Sequence, residues 1–266
     1  MKEIRFARKI IKTLIKDHWH YSGRMIMDLV LMFVRCGVLL VLYAYVFELR
    51  NGTIHGTTFS VVAWSIFFYF AFSTLRLREI ARMIMQDVQS GAVEAILTKP
   101  VSYIFYRMVW QIGNGFNSFI VVTIFGSLLL VFLVGIPGSM KIGIFVPSFL
   151  LVFLGASILS LILYTLVGFI AFWIEDINPI FWLVDKTIMI LGGAYLPIAL
   201  FPPFLYKMSL WSPFGASQFI THTVNDSWQS QWYMHIGIQV VWIGIGGVAL
   251  YALNRFAQRR ISINGG

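Results

Sequence analysis

The chain has 266 residues, 59% of them hydrophobic and 12% charged, where a soluble domain of this length carries roughly 25% charged residues. So little polar surface excludes a soluble globule, and the long uninterrupted apolar runs exclude the alternating strands of a membrane barrel. The net charge of +9 lies beside those runs, which fits cations held at a membrane surface and argues against nucleic acid.

Residues 3–20 form the first expected element. Ile4, Ala7, Ile11, Leu14 and Ile15 recur at three-and-four spacing, with Arg5, Lys9, Lys12 and Lys16 toward the other side. A basic amphipathic helix of this kind lies in the membrane interface. The first apolar run starts near Ile26, after a long basic stretch without a small-residue cleavage site, so a retained N-terminus is expected rather than a cleaved signal peptide.

The first span is read at 26–47 and holds Asp28, Arg35 and the single cysteine, Cys36, so no internal disulfide or cysteine metal cluster can form. The second, at 58–75, is crowded with Trp64, Phe67, Phe68, Tyr69, Phe70 and Phe72. These are read as lipid contact and interhelix packing in preference to a stacking surface for flat drugs. A polar segment covers 76–107, and the third span, 116–136, ends at Ile136-Pro137-Gly138. The charge-free run from Ile142 to Ile174 exceeds the about 20 residues of one upright crossing. Pro147 is therefore expected to mark the start of a fourth span, 148–174, with tilt absorbing the excess. Glu175, Asp176 and Pro179 break the chain before a fifth span at 180–196; a broken apolar stretch at 197–219 precedes the sixth at 234–253.

Orientation follows from the cations. Seven Lys and Arg lie in 1–24, five in 76–107 and three in 255–260, against Arg50, Lys141 and Lys207 on the other side. The bias puts both termini in the cytoplasm. No G-x-x-x-x-G-K-[ST], H-E-x-x-H or G-x-S-x-G sequence occurs. His18, His20, His55, His222 and His235 are scattered over different segments and read as solvated or satisfied side chains, with no metal site.

Three features remain as candidates. In 76–107, two helical stretches are split at Ser90-Gly91 and closed by Pro100, with Val93 and Leu97 one turn apart on the second. Held off the bilayer, such a hairpin reads equally as a docking knob or a plain solvated link. The stretch after the fifth span holds Gly192, Gly193, Pro197, Pro202, Pro203 and Pro213. Proline breaks helices, and broken backbone at membrane depth is tolerated only inside protein or along a cavity, so short re-entrant helices are expected. The intramembrane charges are Asp28, Arg35, Asp185 and Lys186. A charge at the bilayer centre costs about 2.5–3.5 kcal/mol, so each is expected to have a partner or face a cavity, and Asp28, near the inner boundary, can also snorkel. Arg35 and Asp185, deep and opposite in sign, are expected to pair within the chain or across a dimer seam. Asp185 and Lys186 are adjacent and so face apart.

Asp87 to Val101 (DVQSGAVEAILTKPV) resembles the coupling-helix signature of ABC-2 type transporter permeases. The resemblance continues through Gly192 to Pro203 (GGAYLPIALFPP), Ser212-Pro213-Phe214 and the basic tail closing in Gly265-Gly266, and covers nearly the whole chain. It is to the branch once catalogued as a domain of unknown function and associated with drug or peptide export. The resemblance implies an all-α integral membrane fold of six transmembrane helices. An interfacial N-terminal helix, a cytoplasmic coupling helix between spans 2 and 3, and re-entrant helices between spans 5 and 6 complete it. It also implies that Asp87, Gly91, Val93, Glu94, Leu97 and Pro100 couple to a cytosolic ATPase subunit. Two such subunits, which carry the ATP and Mg, join this permease and a second permease chain, identical or paired. The chain departs from the pattern at Ala92, where many relatives have Thr.

The expected function is thus the permease half of an ATP-driven exporter in a bacterial plasma membrane, without catalysis or cofactor of its own. It would move a hydrophobic or amphipathic substrate (drug, peptide or lipid-like). The rivals are an ion-coupled secondary transporter, which would show paired broken helices in both halves, and a non-transporting scaffold.

Overall fold

The computed structural model describes residues 2–20, 22–93 and 101–264. It is helical almost throughout. The basic amphipathic segment forms α1 (Lys2–His20) and packs along the first half of α5 (Tyr103–Val134), where Leu14 is buried. α2 (Ser22–Leu49) runs from what is here termed the basic end of the bundle to the opposite end. There a two-stranded ribbon, β1 (Thr53–Ile54) and β2 (Thr57–Thr58), turns the chain back. Its two central residues, His55 and Gly56, both have positive φ, the requirement of a tight hairpin whose twist matches its strands.

α3 (Phe59–Ser73) returns through the middle of the molecule, and every residue from Val61 to Phe72 is buried. The aromatic crowding thus serves interhelix packing rather than lipid contact. Phe68 stacks on Phe145 and lies against Phe149 of α6 (Ile142–Phe169), and Phe119 of α5 stacks on Phe153 at 4.9 Å. After α3 a turn leads to α4 (Glu79–Ser90) at the basic end. α5 starts well before its apolar run, because the Ser102 side chain accepts from the Phe105 N–H and caps the helix.

α6 differs from expectation at its start. It begins at Ile142 and carries Pro147 inside the helix instead of before it. Proline in the second turn forfeits one intrahelical bond close to an end where donors are unpaired anyway, so the helix runs through it. α7 (Asn178–Leu191) opens with Pro179 in its first turn. The last helix, introduced below, packs along α6 over much of its length.

Four described helices contain stretches long and apolar enough to cross a membrane: Ile26–Leu49, Tyr103–Val134, Gly143–Phe172 and Trp228–Ala257. α3 and α7 are shorter, at 15 and 14 residues. Walled by protein, α3 has no lipid-facing surface of its own to match to the bilayer. The molecule is therefore a multi-pass, all-α membrane protein.

Between α7 and the last helix the backbone is broken. Gly192 ends α7, and Gly193 follows in the left-handed region at φ +80°. Then come a 3-10 turn (Ile198–Leu200), α8 (Pro203–Trp211), α9 (Pro213–Ala216), a second 3-10 turn (Phe219–Val224) and α10 (Trp228–Asn264). Pro197, Pro202, Pro203 and Pro213 all stand just before or at the first position of a short helix, where proline lacks no needed donor. Residues from Gly215 to Val224 are buried, and their carbonyls are met by side chains of other elements. Ser65 donates to Thr221 O at 3.1 Å, Ser139 to Val224 O at 2.6 Å, Ser160 to Ser217 O at 3.3 Å and Gln239 to Ala216 O at 2.9 Å. Within the segment Ser209 donates to Leu191 O at 2.6 Å and Thr221 to Gly192 O at 3.2 Å.

A Cβ on Gly215 would fall on the Ser209 carbonyl, whereas one on Gly244 of α10 would meet open space. Gly215→Ala is expected to cost about 1–3 kcal/mol and to lower the Tm in detergent by several degrees. Gly244→Ala, in a helix, should leave it unchanged or raise it; thermal unfolding of the two variants side by side checks this.

Candidate functional site

The hairpin at the basic end is built around one carboxylate. Asp87, buried on α4, accepts from the Tyr103 hydroxyl at 2.6 Å and pairs with Arg107, both on α5. Arg107 is only 13% exposed, so this ion pair is largely desolvated. The Ser90-Gly91 split is a helix C-terminus: Gly91 is left-handed at φ +72° and its N–H returns to the Val88 carbonyl. Val93 turns inward and joins the core. Glu94, Leu97 and Pro100 lie outside the described residues. Asp87 and Val93 are thus both buried at the hairpin, and Gly91 sits at its exposed corner.

The second site lies where α2, α3, α4, α6 and α7 converge. A cavity of about 250 Å³ is lined there by Asp28, Arg35, Tyr69, Arg76, Tyr164 and Asp185 together with apolar side chains of α2 and α3. Arg76 occupies the turn between α3 and α4 with φ +53°, a left-handed conformation uncommon outside glycine. It is held there from both ends: its guanidinium pairs with Asp28, and its carbonyl accepts from Gln111 at 2.8 Å. The other oxygen of Asp28 accepts from Ser118 at 2.8 Å. One carboxylate thus joins α2, the α3–α4 turn and α5.

The expected Arg35–Asp185 pair does not form within the chain. Asp185, 2% exposed, accepts from the Tyr164 hydroxyl at 2.8 Å, and Arg78 Nη1 stands 3.5 Å from its other oxygen. Arg78 is a nearer cation to Asp185 because the α3–α4 turn folds over the basic end of α7. Arg35 lines the same cavity, is exposed, and makes no ion pair or hydrogen bond among the described residues. Lys186 faces away from Asp185, with Nζ 4.9 Å from the Trp182 ring on the outer side of α7.

At the opposite end the broken segment brings together two histidines that are thirteen positions apart in sequence. His235 Nε2 and His222 Nδ1 are 3.2 Å apart, both side chains buried, with Phe219 and Trp228 rings around them. The two are scattered over different segments of the sequence, and no local pattern links a 3-10 turn to the next helix. Among the described residues no group of three or more His, Cys, Asp or Glu side chains is arranged to hold a metal.

Losing the charge of Asp87 would strand the buried Arg107 guanidinium. Asp87→Asn is expected to cost about 3–5 kcal/mol, and Tyr103→Phe about 1 kcal/mol. A double-mutant cycle of Asp87→Asn with Arg107→Gln, read by thermal unfolding, should recover part of the loss; strictly additive losses would show that the two side chains do not interact.

Comparison with known proteins places these elements in context. A family model described as ABC-2 family transporter protein matches residues 33–220, from within α2 to the second 3-10 turn. No curated protein matches the chain.

Proposed function

The chain belongs to the ABC-2 family of transporter proteins, and on that footing we propose that it is the permease subunit of an ATP-driven exporter in a bacterial plasma membrane. The observation that carries the reading is the extent of the match. It takes in the whole basic-end hairpin and most of the broken segment, in 266 residues that contain no P-loop sequence. In this reading hydrolysis belongs to a cytosolic ATPase subunit, which holds the ATP and Mg.

In this proposal six helices cross the bilayer, with α3 and α7 counted among them and both termini inside, so that the basic end faces the cytoplasm. The ATPase grips the hairpin through the stretch from Gly91 to Pro100, Glu94 and Leu97 included. Asp87 ties that handle to α5, and Asp28 and Arg76 tie its base to α2 and α5, so a push on the hairpin moves three helices together. The broken segment closes the route at the outer end. A conformational cycle needs a ligand that binds two states unequally, and ATP bound by the partner supplies it. Two permease chains with two ATPases make the complex, and a hydrophobic or amphipathic substrate is its cargo.

Two measurements test this. Purification in mild detergent should bring down an ATPase whose hydrolysis the permease stimulates. Gly91→Val, which strains a left-handed corner by about 1–2 kcal/mol while meeting open space, should cut that stimulation several-fold and leave the bundle folded. Stimulation unchanged in Gly91→Val would remove the hairpin from the coupling path. Cys36 is buried, so added cysteines report cleanly. Gln86→Cys should react with an impermeant maleimide only from the cytoplasmic side and Asn51→Cys only from outside; the reverse pattern sinks the orientation and the exporter with it.

A further inference from the structure

The cavity at the basic end is lined by three carboxylates and three guanidiniums, equal in number but not paired one to one. Asp28 is taken by Arg76, Asp185 by Arg78, and Glu79 by Arg82 at 3.8 Å with Arg78 beside it at 3.6 Å. Among the described residues these three carboxylates are engaged by Arg76, Arg78 and, from outside the lining, Arg82, whereas Arg35 has no ion pair. It stands nine residues beyond Ile26 on α2, roughly 14 Å along the helix axis, within the stretch Ile26–Leu49 that is apolar enough to span a membrane. Asp28 is two turns before it on nearly the same stripe. Both line the cavity, which therefore extends from the ion-paired rim at Asp28 to an unanswered cation at Arg35.

Size and surroundings narrow what would answer it. At about 250 Å³ the cavity falls below the roughly 300–1,000 Å³ of pockets that enclose a drug-sized ligand. It has room for a headgroup and not for a whole amphiphile. Beyond Arg35, toward the bilayer centre, α2 exposes Val38, Val41 and Tyr45 at three-and-four spacing, with Val41 73% exposed. A polar pocket ending in a lone cation continues into an open apolar stripe on the same helix.

We propose that this cavity binds an amphiphile with a single anionic headgroup, phosphate or carboxylate, which Arg35 receives while the alkyl tail lies in the bilayer along Val38 and Val41. Arg35 is the specificity-determining residue, since every other cation on the wall is already held by a carboxylate. The guanidinium presents paired N–H donors suited to two anion oxygens at once. The proposal deepens the permease reading by naming a substrate class, and rests on it only in taking the cavity as part of the transport route.

The test uses the full chain in neutral detergent without any ATPase, so it fails or succeeds independently of coupling. Lysophosphatidic acid, lysophosphatidylcholine and inorganic phosphate are titrated separately, and bound molecules are counted by native mass spectrometry. One lysophosphatidic acid per chain should bind at least tenfold more tightly than lysophosphatidylcholine. Arg35→Gln should remove that preference, Arg35→Lys should keep most of it, and Lys186→Gln, on the outer side of α7, should leave it intact. Equal binding of the two lysolipids, or an undiminished preference in Arg35→Gln, overturns the proposal. Inorganic phosphate competing as well as the lysolipid overturns the amphiphile and leaves a free-anion site. If Arg35→Gln instead turns a dimer into monomers while lipid preference persists, the cation belongs to a second copy of the chain and the proposal falls.

Discussion

Backbone carbonyls inside an apolar phase must find donors, and the stretch from Gly192 to Val224 has few of its own to offer because its helices are too short to complete the ladder. The rest of the bundle is arranged to meet that need. Ser65 on α3, Ser139 before α6, Ser160 on α6 and Gln239 on α10 each place a donor on a carbonyl of the broken segment. Each such bond is worth only about 1 kcal/mol net, while an unmet buried carbonyl costs about 1–3 kcal/mol, so the penalty for omission governs the design more than the gain. This explains why buried hydroxyls and amides recur on helices that are otherwise apolar. It also fixes where α3, α6 and α10 stand relative to the segment they serve.

Much of this architecture is legible in the chain's one-dimensional pattern. Long apolar runs find the membrane-capable helices because a span must be apolar along its length, whatever it packs against. The six Gly and Pro residues from Gly192 to Pro213 announce broken backbone, and Ser90-Gly91 announces a helix end, because backbone chemistry acts locally. What escapes is the choice among alternatives that only tertiary packing makes. Asp185 had a deep cation available in Arg35 and took the shallower Arg78, since the turn carrying Arg76 and Arg78 folds over it. Helicity through Pro147 and the meeting of His222 with His235 depend likewise on neighbours that no short window contains.

The acidic side chains of the basic end show a common economy. Asp28 and Asp87 each bind an arginine with one oxygen and a hydroxyl with the other, whereas Asp185 accepts from a hydroxyl on one oxygen and has Arg78 3.5 Å from the other, without a hydrogen bond there. A buried carboxylate with both oxygens engaged avoids the desolvation penalty that makes isolated buried charges untenable. Each of the three joins separate elements of the bundle.

Asp28 carries the furthest consequence. Its two oxygens fasten α2, by way of Arg76, to a corner twisted into left-handed geometry, and simultaneously to Ser118 in the body of α5. Between α4 and the carboxylate stand only that one turn and one ion pair. In the proposed cycle, torque entering at one limb of the hairpin would emerge as a concerted tilt of two long helices, with the pivot at a single acid.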